Sequence, residues 1–92
     1  MKLTARKYIG DDGSVTLSLD EIDLAENAPT EEEALNMLTE SLIEYSQDYI
    51  DDLDFWSSAP NRIEHLNYIR EIIKLSNVEY VKSMIIIKSV SN

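Results

Sequence analysis

The chain contains no cysteine, which excludes a disulfide, a thiolate nucleophile and any cysteine-held metal. It has one histidine, His65, so histidine-rich zinc chemistry is excluded as well. Its only two glycines, Gly10 and Gly13, fall in one turn, which leaves no place for a phosphate-binding loop or a dinucleotide fingerprint. The Gly-x-Ser-x-Gly of a serine hydrolase is missing too. No stretch reaches the roughly 18 apolar residues of a membrane span, and the start, MKLTARKYIG, lacks the apolar run of a signal peptide. A cytoplasmic protein without membrane, metal or cofactor is expected, and an enzyme is not. The most informative shortage is of positive charge. Between Tyr8 and Asn61 there is not one Lys or Arg, against fifteen Asp and Glu. Such a segment would repel a phosphate backbone and would attract a basic protein and steer its approach, or else its acidity serves solubility only.

The 92 residues are enough for one domain with a modest core, and 43% hydrophobic content favours order despite the net charge of −10. We expect one domain over residues 1–92, with a sheet and long helix in 1–56 and a second helix and C-terminal segment in 60–92. Leu3, Ala5, Lys7 and Ile9 alternate with Lys2, Thr4, Arg6 and Tyr8, a period-two pattern that predicts a strand. Gly10-Asp11-Asp12-Gly13 is the turn, with Gly13 suited to a positive φ. Val15, Leu17 and Leu19 alternate with polar residues and complete an antiparallel hairpin, and Ile22 to Leu24 predicts a third short strand or an extended connector.

The longest element is predicted to start at Thr30 and to end near Asp54 to Trp56. Ala34, Leu38, Leu42, Tyr45, Tyr49 and Leu53 recur at steps of three and four, and Leu35, Ile43 and Ile50 widen that stripe. Thr30 followed by Glu33 is a capping box. Asp51, Asp52 and Asp54 oppose the negative end of the helix dipole and argue for fraying or an early stop. Beyond the linker 57–61, Asn61 with Glu64 signals a second cap, and Ile63, Leu66, Ile69 and Ile73 predict a helix ending near Ser76-Asn77. Residues 78–90, with the run Ile85-Ile86-Ile87, are read as a closing strand or a loosely anchored tail. The fold class is thus α+β, a small antiparallel sheet of two or three strands with the long helix across it and a second helix behind. A mainly helical hairpin with a β-hairpin arm is the alternative.

Paired carboxylates, Asp48 with Asp52 and Glu40 with Glu44, lie at helical spacing opposite the apolar stripe. They are expected to be solvated rather than to form a hydrolytic dyad. Asp51-Asp52-Leu53-Asp54 lacks the mid-loop glycine and closing glutamate of a calcium loop. His65 is expected on a helix surface or at a cap. Phe55 and Trp56 are expected to plug the base of the core, with partner contact as the second role. Arg62, Arg70, Lys74, Lys82 and Lys88 give the last third a basic surplus, five against three acids, and would contact operator DNA if they gathered on one exposed face.

The hairpin around Asp11-Asp12-Gly13, the strand Val15 to Leu19, the brief strand Ile22 to Leu24 and the helix start Thr30-Glu31-Glu32-Glu33-Ala34 together resemble the HicB-like antitoxins. The chain departs from that family where Ile22-Asp23-Leu24-Ala25 replaces the usual Pro-Gly. Segments 42–49 and 58–66 are similar to small bacterial antitoxins of type II systems. The resemblance implies a sheet-on-helix unit and a protein inhibitor that covers a basic, RNA-cleaving toxin. The partner contacts expected are Glu40, Glu44, Asp48, Asp51, Asp52, Phe55 and Trp56, and the DNA contacts of the alternative reading are Arg62, Arg70 and Lys74. A homodimer and operator DNA are the further partners considered. An orphan homo-oligomeric scaffold, assembled through the apolar C-terminal segment, is the third reading.

Overall fold

A computed structural model describes residues 1–60, 62–75 and 77–90. Strands β1 (Leu3–Ile9) and β2 (Val15–Leu19) form the expected antiparallel hairpin, in the register Ala5↔Leu19, Lys7↔Leu17 and Ile9↔Val15. Its turn closes through Gly10 N–H to the Ser14 carbonyl at 2.9 Å, and Gly13 takes φ +84°, open to glycine at little cost. The third strand is displaced from its expected place. Residues 20–23 form a bend, and β3 is Ala25–Ala28, antiparallel to β2. The alternation there reflects one plug: Ile22 is buried in the core, while the Leu24 backbone spends its hydrogen bonds on Leu19 and Ile22 to make the bend.

Helix α1 (Glu31–Asp51) begins as the cap predicts, with the Thr30 hydroxyl accepting from Glu33 N–H at 3.2 Å. It does not run to Trp56. The backbone breaks at Asp52 (φ −132°, ψ 56°), and a separate short helix α2 (Leu53–Ser58) follows. No cation stands in the last turn of α1 and acids crowd it, so the dipole favours the early stop. The cap expected at Asn61 lies outside the described residues. A 3₁₀ turn (Ile63–His65) leads into α3 (Leu66–Leu75), which packs on α1.

Asn77 opens a new helix instead of closing the previous one. Its side chain accepts from Glu79 and Tyr80 N–H at 2.9 and 3.2 Å, starting α4 (Val78–Ser83). Strand β4 (Ile85–Ser89) follows and lies parallel to β1, Leu3↔Ile85 through Lys7↔Ser89. The sheet is therefore four-stranded and mixed, in the order β3-β2-β1-β4, rather than a purely antiparallel one of two or three strands. The helical stretch from α1 to α4, between β3 and β4, supplies the long connection that parallel pairing requires.

One sheet face carries Leu3, Ala5, Val15, Leu17, Leu19, Ala28 and Ile85, all buried with Ala34, Leu38, Leu42 and Tyr49 of α1. Thr39 and Ser46, seven positions apart on α1, are buried as well. Each hydroxyl donates to the carbonyl four residues earlier, at 2.8 and 2.7 Å, so neither leaves an unmet polar group. The other sheet face presents Thr4, Arg6, Tyr8, Thr16, Ser18, Asn27, Ile86 and Lys88, a polar surface with Arg6 paired to Asp20 at 2.8 Å.

Candidate partner-binding surface

Helical spacing gathers Glu33, Met37, Glu40, Glu44, Asp48 and Asp51 along one solvent-facing row of α1, continued by Asp52 and Asp54 past the break. Glu40, Glu44, Asp48, Asp51, Asp52 and Asp54 are all exposed, and none forms an ion pair among the described residues. Like charges at i, i+4 cost an isolated helix about 0.2–0.5 kcal/mol per pair. Carboxylates at a helix C-terminus oppose the dipole by about 0.3–1 kcal/mol each. The free protein therefore carries a charge row that weakens its own helix.

Beside the row's C-terminal end stands an aromatic corner, built by the break at Asp52. Tyr45 and Tyr49 lie one turn apart on α1, and the reversal into α2 returns Trp56 onto both. The indole stacks on Tyr49 (6.2 Å between centroids, 19° between planes) and meets Tyr45 edge-on (5.7 Å, 82°). The Arg62 guanidinium lies 5.8 Å from both the Tyr45 and Trp56 ring centroids, a cation–π position. Tyr49 is fully buried and its hydroxyl donates to the Arg62 carbonyl at 2.9 Å. His65 is buried rather than on a helix surface, because Tyr45 reaches over from α1: its hydroxyl and His65 Nδ1 are 2.7 Å apart. Burial, and next the Arg62 charge, hold the imidazole below the usual histidine range. Burial pushes the Tyr45 and Tyr49 hydroxyls up.

The two adjacent aromatics divide their labour. Trp56 is half-buried against the core, as a plug would be. Phe55, edge-on to Trp56 at 5.2 Å, is 61% exposed and plugs nothing. Leu53 and Ile50 are exposed on the same short stretch. An apolar group held on a rigid ring cluster and flanked by carboxylates is a binding surface in kind.

The five cations are spread over several elements, with Arg70 and Lys74 sharing one exposed face of α3 at helical spacing. Arg62 is held in the aromatic corner over Tyr45, while Lys82 bonds Asn36 at 2.8 Å, about 14 Å away along the axis of α1. Arg70 and Lys74 are exposed on α3 with Glu71 between them in the chain, and Lys88 stands on the sheet. A cleft of about 140 Å³ between α1, α3 and α4, lined by Ile43, Gln47, Ile72, Ile73, Asn77 and Val78, has no titratable lining and offers no acid–base chemistry. No described helix is long and apolar enough to cross a membrane.

The sequence pattern of the PHD-like antitoxins, described as antitoxins of the RelE/RelB toxin–antitoxin system, matches residues 1–87. The chain belongs to this family. Within that antitoxin family, a crystal structure from Syntrophomonas wolfei subsp. wolfei, of a protein described as the antitoxin part of a toxin–antitoxin system, superposes with a TM-score of 0.88 at 34% identity. The match covers 98% of this chain and 64% of that one, so the antitoxin-family unit here spans under two-thirds of its solved relative. No match is found among curated proteins. The finding agrees with the resemblance at the level of antitoxins and does not extend to the HicB-like group.

Proposed function

We propose that the protein binds and neutralises a basic toxin, one that cleaves RNA, through the α1 acid row and the aromatic corner. The carrying observation is the row itself: six exposed carboxylates without an ion pair among the described residues, with Asp48, Asp51 and Asp52 gathered at the negative end of the α1 dipole. Their mutual repulsion is relieved when cations arrive, so docking a basic protein stabilises both partners. A protein that holds RNA needs a cationic cleft, and this row is its complement. Phe55 is the anchor, Trp56 its support, and Glu40, Glu44, Asp48, Asp51 and Asp52 steer the approach.

The narrower HicB-like kinship belongs to this proposal, supported by the Gly13 turn and the Thr30 cap. So does folding as one domain, supported by the pairing of β4 with β1. The test is to isolate the tagged protein from its native cells at low and high salt and identify what is retained. A small basic protein held at low salt, whose RNA cleavage stops when this protein is added, supports the reading. Unchanged cleavage by that protein, or equal inhibition by a variant lacking the carboxylates at 44, 48 and 51, overturns it.

A further inference from the structure

The cleft between α1, α3 and α4 holds about 140 Å³, with Ile43 and Gln47 on one wall and Ile72, Ile73, Asn77 and Val78 on the other. Toward the start of α1 the groove is closed by α4, where Lys82 bonds Asn36 at 2.8 Å. It opens where the chain passes from α3 to α4, so that it runs from Ile72, which is buried, out to Gln47 and Val78, which are exposed. An apolar cavity of about 150 Å³ takes up a molecule the size of benzene, so this one has room for a single aliphatic side chain. None of its lining residues is charged. The charge stands on one rim. At about 100° per residue, Glu40, Asp51 and Glu44 lie about 20°, about 40° and about 60° round α1 from Gln47, all on the side away from Ile43. All three are exposed and without an ion pair among the described residues. The apolar cleft therefore opens directly onto the acid row.

We propose that this cleft seats one apolar side chain from a cationic amphipathic helix of the partner, whose lysines and arginines lie over Glu40, Glu44 and Asp51. The inference rests on the neutralisation reading and adds to it the form of the segment that docks. The rim decides between occupants. A second copy of this chain would offer its exposed Phe55 together with Asp52 and Asp54, setting like charges against the rim. A neutral apolar segment would strip water from three carboxylates and pair none of them, which is costly. A cationic helix pairs them while its apolar residue is buried, the helix-in-groove mode of recognition. The spacing is specific as well. Along the axis of α1, Glu44 stands about 6 Å beyond Glu40, and Asp51 about 10.5 Å beyond Glu44. A helix laid along α1 matches these with cations four and then seven residues apart, which fall on one face beside the apolar residue.

The test uses the full chain and two synthetic amphipathic peptides, one with arginines at that spacing around a single leucine, the other with serine in place of the leucine. Titration followed through the isoleucine and valine methyl resonances reads both affinity and place. The leucine peptide should bind roughly tenfold or more tightly than the serine peptide, the worth of one buried leucine. It should also shift the methyls of Ile43, Ile72, Ile73 and Val78. Gln47→Phe lays a ring in the cleft from an exposed position. With its fold checked by circular dichroism, that variant should lose the preference for leucine and keep salt-sensitive binding of both peptides. Equal affinity for the two peptides, methyl shifts confined to Ile50 and Ile63 near the aromatic corner, or a preference that survives Gln47→Phe overturns the cleft and leaves the neutralisation reading standing. Shifts of the cleft methyls on diluting the protein alone would give the site to a second copy and overturn the proposal too. If neither peptide binds even at low salt, the acid row captures no cation and both readings fall.

Discussion

The C-terminal end of α1 and the outer edge of β4 both expose apolar side chains, yet their surroundings are opposite. Phe55, Leu53 and Ile50 stand among unpaired carboxylates, whereas Ile86 stands on a strand with no acid within it. A negative charge kept only for solubility would be served by scattering it over every surface. Here it is segregated, and segregation decides which surface can meet which partner. Screening then separates the two places. Salt weakens the capture of a cationic protein at α1, where the carboxylates stand, and has no such attraction to remove at β4.

The largest effect comes from breaking the α1 side at its foundation. Tyr49→Ala removes the buried ring on which Trp56 stacks, and should cost about 3–5 kcal/mol of stability by denaturant unfolding. The contrast within the corner sharpens the case. Phe55→Ala touches only an exposed ring, so stability stays within about 0.5 kcal/mol, while affinity for the cationic partner falls by at least about 2 kcal/mol, roughly thirtyfold. A thermal shift like that of Tyr49→Ala would make Phe55 structural, and an unchanged affinity would remove it from the interface.

How much of this was legible in the sequence follows from the range of the forces involved. The start of α1 was legible because the Thr30 cap and the recurrence of apolar residues are local. So was β2, whose alternation is uninterrupted. The β3 displacement was not, because a bend that buries one isoleucine alternates like a short strand. Asn77 is ambiguous for a related reason: the residue type that follows a helix end also makes a good cap. The burial of His65 depends on Tyr45, twenty positions earlier, and the parallel partner of β4 is eighty positions away, so no window of neighbouring residues reports either. The acid row was visible as composition. Its lack of neutralising partners, which carries the functional reading, needed the fold.

Neutralising part of the row should have a smaller effect than losing Phe55, and of a different kind. The triple change Glu44→Gln, Asp48→Asn, Asp51→Asn removes repulsion at helical spacing and relieves the helix dipole, so the free protein gains about 0.5–1.5 kcal/mol. Association with the cationic partner slows severalfold and loses most of its salt dependence, readable by stopped-flow mixing at several ionic strengths. Were the salt dependence retained, the steering charge would lie elsewhere, and the contrast between α1 and β4 would lose its meaning.

The smallest effect concerns protons. Lowering of the His65 pKa means that the folded state binds fewer protons than the unfolded chain between the folded value and about 6.5. Stability is then complete above that range and falls as the pH drops through it. The groups facing His65 set the size of the loss. Tyr45 from α1 shares its hydrogen bond, Arg62 repels the imidazolium, and Asp23 and Glu64 draw the other way. Unfolding midpoints between about pH 5 and 7, above the carboxylate range, isolate the histidine. His65→Gln should flatten that dependence. Because His65 joins α1 to the 3₁₀ turn beneath Trp56, partner affinity should decline over the same interval. An identical slope in His65→Gln would detach the pH response from the corner.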